Sequence, residues 1–134
     1  MSKLGERQII VDCDVLQADG GTRCASINGG YVALRLAIAK LLKKKILLAD
    51  PFVAAVCAVS CGVKESTPIL DLDYNEDSTA DVDMNFVMTS EMDFVEVQGT
   101  AEHKPFNFKD LVAMKDLALK GAQEIFSLQR KVLK

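Results

Sequence analysis

Apolar and polar residues alternate along residues 7–17, and this period of two predicts a strand. Its apolar face comprises Ile9, Val11, Cys13 and Val15. From about Cys24 to Lys44, apolar residues recur at alternating spacings of four and three, which predicts a helix with one buried stripe. That stripe comprises Ile27, Tyr31, Leu34, Ile38 and Leu41. Because Gly29 and Gly30 weaken the helix, we expect another segment to pack closely against its backbone there.

The second part of the sequence predicts four strands followed by helices. The strands are residues 53–63, 69–74, 82–88 and 94–100, joined as a short antiparallel meander. Asn107 is expected to cap the closing helical stretch with Asp110 as its capping-box partner, and Gly121 is expected to break that stretch into two helices. The order β-β-β-β-α-α predicts an α+β fold, a two-layer sandwich of sheet and helices.

The dipeptide Asp50-Pro51 is typical of a break between structural elements, and we place a domain boundary next to it. Residues 51–134 are predicted to be a self-sufficient α+β domain, whereas residues 1–50 supply only one strand and one helix. One strand and one helix cannot bury both faces of a sheet. Residues 1–50 therefore need another part of this chain, another chain or a missing segment to complete a core.

Composition narrows the classes of function. With a net charge of −3 over 134 residues, the chain lacks the broad positive surface of a general nucleic-acid coat, so any nucleic acid must meet a local site. No run approaches the ~18 apolar residues of a membrane span, and the N-terminus has no apolar signal core. We expect a cytoplasmic protein that does not enter a membrane. The contexts of the four cysteines favour reduced, mostly buried thiols over a disulfide or a zinc site.

The turn Asp19-Gly20-Gly21-Thr22-Arg23, between the first strand and the helix, is a candidate anion site. Unpaired N–H groups at the start of a helix attract anions, and glycines let an anion approach the backbone closely. The Thr22 hydroxyl adds a donor, and the Arg23 guanidinium can hold a phosphate through two bonds. The alternative is a plain turn whose Arg23 pairs with a surface carboxylate.

Residues 71–83, with six acids in thirteen residues, are a second candidate site. A calcium loop is excluded, because Glu76 stands where glycine is needed and Val82 where glutamate is needed. We expect a hairpin turning at residues 75–80. Its polar face would present Asp71, Asp73, Asp81 and Asp83. Three interpretations stay open for that face: a Mg²⁺ site completed by substrate phosphate, a protonated carboxyl acting as general acid, or a solvated surface.

Three stretches together resemble the ribonuclease PH family of phosphate-dependent exoribonucleases. The first runs from Gly5-Glu6-Arg7 through residues 12–23, the second spans residues 71–85 and the third spans residues 96–102. They occur in the family's order and approximate spacing, and the likeness extends from about Leu4 to the C-terminus. The chain is therefore similar to the C-terminal part of a ribonuclease PH.

This resemblance implies a reaction and the residues that perform it. Family members shorten RNA 3′ ends, notably those of tRNA precursors, with inorganic phosphate as nucleophile, and they release nucleoside diphosphates. The matching phosphate-holding turn here is Gly21, Thr22 and Arg23. The matching acids are Asp77 and Asp83, which would bind Mg²⁺ and assist proton transfer to the departing 3′ oxygen. Relatives assemble as a ring of dimers, so a homo-oligomer is implied.

The sequence departs from the family in two respects. In the family an entire N-terminal half precedes Gly-Glu-Arg, whereas here Met1 stands almost directly before it. The second departure is small: Cys24 and Asn28 fall beside the phosphate turn, where relatives tolerate variation. We expect a truncated or split chain whose N-terminal half is absent or is a separate partner. The alternative functions are a non-catalytic structural or RNA-binding subunit of a ribonuclease PH-type ring, and an inactive fragment.

Overall fold

The structure is a computed structural model that describes residues 3–134, so residues 1 and 2 of the predicted first domain lie outside the described residues. It has an α+β fold, as predicted. The elements in chain order are α1 (Thr22–Lys43), β1 (Val56–Lys64), β2 (Thr67–Leu70), α2 (Tyr74–Asp77), β3 (Val82–Thr89), β4 (Phe94–Ala101) and α3 (Phe108–Val132). Within residues 3–134, no helix is both long enough and apolar enough to cross a membrane.

The four strands form one antiparallel sheet in the order β2-β1-β3-β4. This order corrects the predicted meander, because β2 and β3 lie on opposite sides of β1 and do not pair with each other. The cause is the short length of β2, which pairs only with the last residues of β1 and stops where Asp71 adopts a positive φ of 57°. The chain then crosses to the other side of β1 through α2. The predicted strand at residues 69–74 is therefore confirmed only at residues 69–70, and its predicted hairpin with residues 82–88 is wrong.

One face of the sheet packs against α3 and forms the main core. Buried side chains from the strands and the helix meet there: Cys57, Val59, Cys61, Val63, Val82, Met84, Phe86, Met88, Met114, Ala118, Ala122 and Phe126. The helix is continuous through Gly121, which corrects the predicted break into two helices. A Cβ at Gly121 would lie 3.0 Å from Leu70 and 3.2 Å from Val59, so this glycine brings the helix close to the sheet.

The opposite face of the sheet is covered in part by α1. Cys24 of α1 packs there against Ala58 of β1 and Val87 of β3. Beyond α1 the same face is polar, because Asp83 and Asn85 of β3 and Glu96 and Gln98 of β4 alternate with apolar residues of the other face. This polar half-face next to the start of α1 is where the candidate chemistry lies.

The predicted strand at residues 7–17 is wrong. The segment lies against α1 but has no strand conformation, and no other strand of residues 3–134 pairs with it. A strand needs the hydrogen bonds of a neighbour, which an alternating pattern does not supply. A Cβ at Gly30 would lie 3.2 Å from Val11 and 3.4 Å from Cys13, which confirms close packing at the glycine pair, whereas Gly29 faces open space.

Other local predictions are confirmed. The helix α1 begins and ends within two residues of its predicted bounds, and Asn107 and Asp110 form a reciprocal capping box on α3. Three of the four cysteines are buried, and burial raises the pKa of Cys57 and of Cys61 to about 12. These thiols therefore stay protonated and unreactive near neutral pH.

Candidate functional site

The glycine turn forms the start of α1, as its sequence predicts. Gly21 adopts a left-handed φ of 69° and occupies the N-cap position, where it offers no side-chain cap to the amides of the first turn. The Thr22 hydroxyl donates to the carbonyl of Asp19 at 2.7 Å, which closes the turn on itself. The first-turn amides, the helix dipole and the exposed Arg23 side chain therefore face outward together, an arrangement suited to an anion.

The turn is fastened directly to the acidic segment. The Asp19 carboxylate accepts from the backbone N–H of Tyr74 and from that of Gly20, with Oδ1 2.6 Å and 2.8 Å from the two nitrogens. A Cβ at Gly20 would lie only 2.1 Å from the carbonyl oxygen of Leu72 and 2.6 Å from that of Asp73. Only glycine fits this approach, so the turn and the start of α2 are held as one unit.

Buried Ser60 supports both segments from below. Its Oγ accepts from the backbone N–H of Leu72 at 3.3 Å, and a Cβ at Gly21 would lie 3.0 Å from the same oxygen. The Ser60 carbonyl also accepts from the N–H of Asp71 at 2.8 Å. Ser60 of β1 therefore holds both the glycine turn and residues 71–74 at a fixed distance from the sheet.

The structure separates the four acids that were expected on one hairpin face. Asp73 is the N-cap of α2 and forms a capping box with Glu76, and the Asp81 carboxylate accepts from the backbone N–H of Glu65 at 3.2 Å. Both therefore stabilise local structure. Asp71 is exposed and ends β2. Of the four, Asp83 alone lies on a strand, on the polar half-face of the sheet.

Asp77, at the end of α2, and Asp83, on β3, lie close enough to influence each other. Burial raises the pKa of the Asp83 carboxyl, and the negative charges of Asp77 and Glu102 raise it further. Among residues 3–134, neither Asp77 nor Asp83 takes part in an ion pair. A bound cation would relieve this repulsion, and one or two carboxylates completed by phosphate and water are a normal Mg²⁺ ligand set. Among residues 3–134, no group of three or more His, Cys, Asp or Glu side chains is placed to hold a metal ion, so the two aspartates could supply two ligands and phosphate and water would have to supply the rest.

The start of α1 and Asp83 border the same part of the sheet. Cys24, the residue after Arg23, donates its thiol hydrogen to the side-chain oxygen of Asn85 at 2.9 Å. Burial raises the pKa of Cys24 to about 11, the positive charge of Arg23 opposes that rise, and the charge of Asp83 adds to it. Asn85 follows Asp83 by two residues and faces the same side of β3. Cys24 thus lies between the candidate phosphate ligand and the candidate metal ligand.

Arg23 is held over the polar half-face by Glu96 of β4. Its guanidinium nitrogen lies 2.8 Å from the Glu96 carboxylate, and the two side chains are 47% and 41% exposed. This is the surface pairing that the sequence left open as an alternative to phosphate binding. A half-exposed pair contributes about 1 kcal/mol at most, so Arg23 can exchange or share this partner with an anion.

Sequence reasoning undervalued several residues that build the site. Glu96 of β4 pairs with Arg23, and nothing local in the sequence indicates this contact. Asp19 was seen only as part of the turn, yet its carboxylate joins the turn to α2. His103 lies beside the site, where its Nδ1 is 3.2 Å from the carbonyl oxygen of Ala80. Such contacts join residues far apart in the sequence, so spacing carries no signal for them.

Known proteins are similar to this chain in sequence and in fold. Residues 54–121, half of the chain, match the family described as "3′ exoribonuclease family, domain 2". The chain is 56% identical over 132 residues to proteins named ribonuclease PH from two strains of Cereibacter sphaeroides, covering 98% of this chain and 56% of theirs. The chain thus spans about half the length of these curated relatives. The crystal structure of rice (Oryza sativa) Rrp46 shares the fold, with a TM-score of 0.71 and 20% identity over 89% of this chain and 51% of that one.

Proposed function

The chain belongs to the ribonuclease PH family of 3′ exoribonucleases, and on that premise we propose that it carries part of a phosphorolytic active site for RNA 3′ ends. The substrates are RNA, with tRNA precursors as the preferred class, and inorganic phosphate. The products are an RNA shorter by one nucleotide and a nucleoside diphosphate. A cytoplasmic location for this reaction stays a prediction from the sequence.

One observation carries this proposal: the glycine turn and the acidic segment form a single unit. The Asp19–Tyr74 hydrogen bond and the contact of Gly20 with Leu72 join them without any intervening residue. Family membership alone would permit a chain in which these motifs had drifted apart. Their direct contact supports a cleft that receives an anion on one side and a cation on the other.

The proposed roles follow from the chemistry of each side chain. Arg23, with the backbone amides of the first turn that include Thr22, would bind phosphate and aim one of its oxygens at the last phosphorus of the RNA. That oxygen forms a new bond to phosphorus while the bond from phosphorus to the 3′ oxygen of the preceding nucleotide breaks. Mg²⁺ held by Asp77 and Asp83 would supply charge neutralisation. The same pair would assist transfer of a proton to the departing 3′ oxygen.

The chain also has a surface suited to the rest of the enzyme. An apolar groove is lined by Ile9 and Val11 of the N-terminal segment, by Leu34 and Ile38 of α1, and by Phe52. The chain covers 56% of the length of its ribonuclease PH relatives. We therefore include in the proposal a partner that corresponds to the remaining N-terminal part, and a homo-oligomer as the assembled state. The division into residues 1–50 and 51–134 belongs to the same proposal.

The test is a phosphorolysis assay with radiolabelled inorganic phosphate, Mg²⁺ and an RNA with a free 3′ end. The chain is assayed alone and mixed with the N-terminal half of a ribonuclease PH relative. The proposal predicts labelled nucleoside diphosphate in at least the mixture, and none when phosphate or the chain is omitted. Absence of labelled product from both would overturn it.

Two pairs of variants connect activity to the cleft. Arg23→Ala should raise the KM for phosphate about tenfold or more, because the guanidinium is its main ligand. Arg35→Ala is the matched control, since Arg35 also forms a 2.8 Å ion pair, with Asp50, away from the cleft. Asp83→Asn should lower kcat by at least about a hundredfold with little effect on that KM. Asp116→Asn, on the exposed face of α3, should change neither.

One observation favours a second function, that of a non-catalytic RNA-binding subunit in a ribonuclease PH-type ring. Arg23 already has a partner in Glu96, so the phosphate ligand is engaged as the structure stands. Size-exclusion chromatography with and without RNA separates the two functions. An assembly that binds RNA and yields no nucleoside diphosphate under any condition supports the subunit.

A further inference from the structure

The edge of β1 that faces β2 is only half covered by that strand. β2 pairs with Cys61–Lys64, so the same edge is open from Val56 to Ser60. Groups from α3, from α1 and from the loop after β2 occupy it. The Nε2 of Gln129, on α3, donates to the Val56 carbonyl at 3.1 Å, and the N–H of Asp71 donates to the Ser60 carbonyl. Between them, the Asn28 side chain bonds Ala58.

Asn28 bonds the backbone of Ala58 as a neighbouring strand would. Its side-chain oxygen accepts from the N–H of Ala58 at 2.8 Å, and its Nδ2 donates to the carbonyl of Ala58 at 2.8 Å. Ala58 is completely buried, so water does not compete for these two groups. The amide therefore forms a two-bond clamp between α1 and the middle strand of the sheet.

The clamp lies between the two halves of the candidate site. Asn28 follows Arg23 by less than two turns of α1, the helix that begins at the phosphate turn. The strand that it holds pairs with β3, where Gly62 lies opposite Asp83. A shift of α1 along β1 would therefore move Arg23 relative to Asp83, and this clamp opposes such a shift.

We propose that Asn28 is a positioning residue for phosphate binding: its bidentate bond to Ala58 fixes Gly21, Thr22 and Arg23 relative to the carboxylates. This inference rests on the proposed function and extends it to a residue outside the turn and outside the acidic pair. It requires a side chain that donates and accepts at once. An amide does so at every pH, whereas a carboxyl of the same shape does so only when it is protonated.

The variant Asn28→Asp tests whether residue 28 must donate and accept a hydrogen bond at the same time. At neutral pH the new carboxylate would face the Ala58 carbonyl without a hydrogen, and at mildly acidic pH the protonated carboxyl would restore both bonds. Two carboxylates favour the protonated form, because Asp71 and Glu124 line the same cavity of about 340 Å³, whereas Cys24 of α1, which also lines it, is a neutral thiol. The pKa of the introduced carboxyl should therefore lie above that of an exposed aspartate.

Gln129→Glu is the matched control. It makes the same amide-to-acid change against the same open edge of β1, but it acts from α3, which does not carry the phosphate turn. Loss of this bond should lower stability without moving Arg23. The pair of variants therefore separates positioning of the turn from general support of the fold.

Two readouts are taken for wild type and both variants at about pH 7.5 and about pH 5. The first is the dissociation constant of inorganic phosphate. The second is the hydrogen-exchange rate of the Ala25 amide, whose bond to the Gly21 carbonyl closes the first turn of α1. At the higher pH, Asn28→Asp should weaken phosphate binding and speed this exchange, each about tenfold, beyond any change in global stability. Both differences from wild type should shrink to about twofold or less at the lower pH, and Gln129→Glu should change neither by more than about twofold.

The outcomes separate the two claims. Equal effects of the two variants, or no recovery of Asn28→Asp at the lower pH, overturn the positioning role. If wild type binds no phosphate either alone or mixed with the N-terminal half, the proposed function fails, and the exchange rate of Ala25 still decides whether Asn28 holds the turn.

Discussion

The sheet with α3 and the region of residues 3–55 differ sharply in how they bury apolar side chains. The sheet and α3 share a continuous core in which Phe86 and Phe126 are 1% and 2% exposed. In residues 3–55, Cys24, Ile38 and Leu47 are the buried apolar side chains, whereas Leu16, Leu48 and Val53 are 96%, 94% and 100% exposed. Apolar burial therefore stabilises the sheet with α3 by itself, whereas residues 3–55 depend on their contacts with the rest of the molecule.

This difference shows that the two halves of the candidate site lie in different regions, since Asp83 belongs to the well-packed sheet and the phosphate turn to the poorly buried region. Polar bonds of Cys24 and Asn28 hold the turn to the sheet, and that of Asp19 holds it to α2. Hydrogen bonds fix the orientation of the turn, whereas apolar contacts do not. A partner that covers the exposed apolar residues would stabilise the turn without touching it.

The largest expected effect on the free energy of unfolding comes from disrupting the core between the sheet and α3. Phe126→Ala should lower the free energy of unfolding by about 3–5 kcal/mol, because it removes a large buried side chain and leaves a cavity. Phe108→Ala, at the exposed start of the same helix, should change it by less than about 0.5 kcal/mol. Urea unfolding measures both, and similar losses in the two variants would contradict a core confined to this side.

The second expected effect acts at the junction of the two regions. Gly20→Ala would push a methyl group against the Leu72 and Asp73 carbonyls, and should cost at least about 2 kcal/mol and weaken phosphate binding. Gly29→Ala, on the open side of α1, should stabilise the protein by up to about 1 kcal/mol. The same urea titrations compare them. A harmless Gly20→Ala would mean that the turn and the acidic segment are not in contact.

A smaller effect is expected from Asp50, which joins the end of the N-terminal region to α1. The N–H of Phe52 bonds its carboxylate, and that bond, with Arg35, holds the pKa of Asp50 below its usual value. A lowered pKa gives stability that is present above the unfolded-state pKa of about 3.9 and is lost as pH falls through the folded-state value. Asp50→Asn should therefore cost about 0.5 kcal/mol or less at neutral pH, because the pair is exposed, and nothing in acid. A loss of stability in Asp50→Asn that grows as the pH falls would contradict this prediction.

The smallest effect on stability is expected at the exposed apolar residues. Replacing Leu16 and Val53 together by serine should leave the free energy of unfolding within about 0.5 kcal/mol of wild type, since neither side chain is buried. The same change should reduce self-association, or binding of an N-terminal partner, measured by sedimentation. A large loss of stability would show that these side chains are covered within the chain itself.

Much of the fold is predictable from the hydrophobic pattern, because α3 buries one face, β3 alternates along most of its length and β1 is a continuous apolar run that is buried on both faces. The order of the strands is not. β2 has only four residues, and its end is set by Asp71 in a left-handed conformation, which no hydrophobic pattern encodes. The segment at residues 7–17 shows the opposite error, because it alternates as a strand does while no strand of residues 3–134 pairs with it.

The site was predictable only in part. Spacing indicated an anion-binding turn, and the family resemblance selected Asp77 and Asp83 from a run of acids. The contacts that orient these groups, such as Arg23 with Glu96 and Asn28 with Ala58, join residues thirty or more positions apart. Side-chain bonds of that kind depend on the packed fold, so a linear motif carries no trace of them.

The most direct test of the central claim is a crystal structure of this chain grown with Mn²⁺ and inorganic phosphate, alone or with the N-terminal partner. Mn²⁺ takes the oxygen ligands that suit Mg²⁺ and is located by its anomalous scattering. The account predicts Mn²⁺ between Asp77 and Asp83 and phosphate on Gly21, Thr22 and Arg23, both in one cleft. Mn²⁺ and phosphate bound on separate faces of the molecule would contradict it.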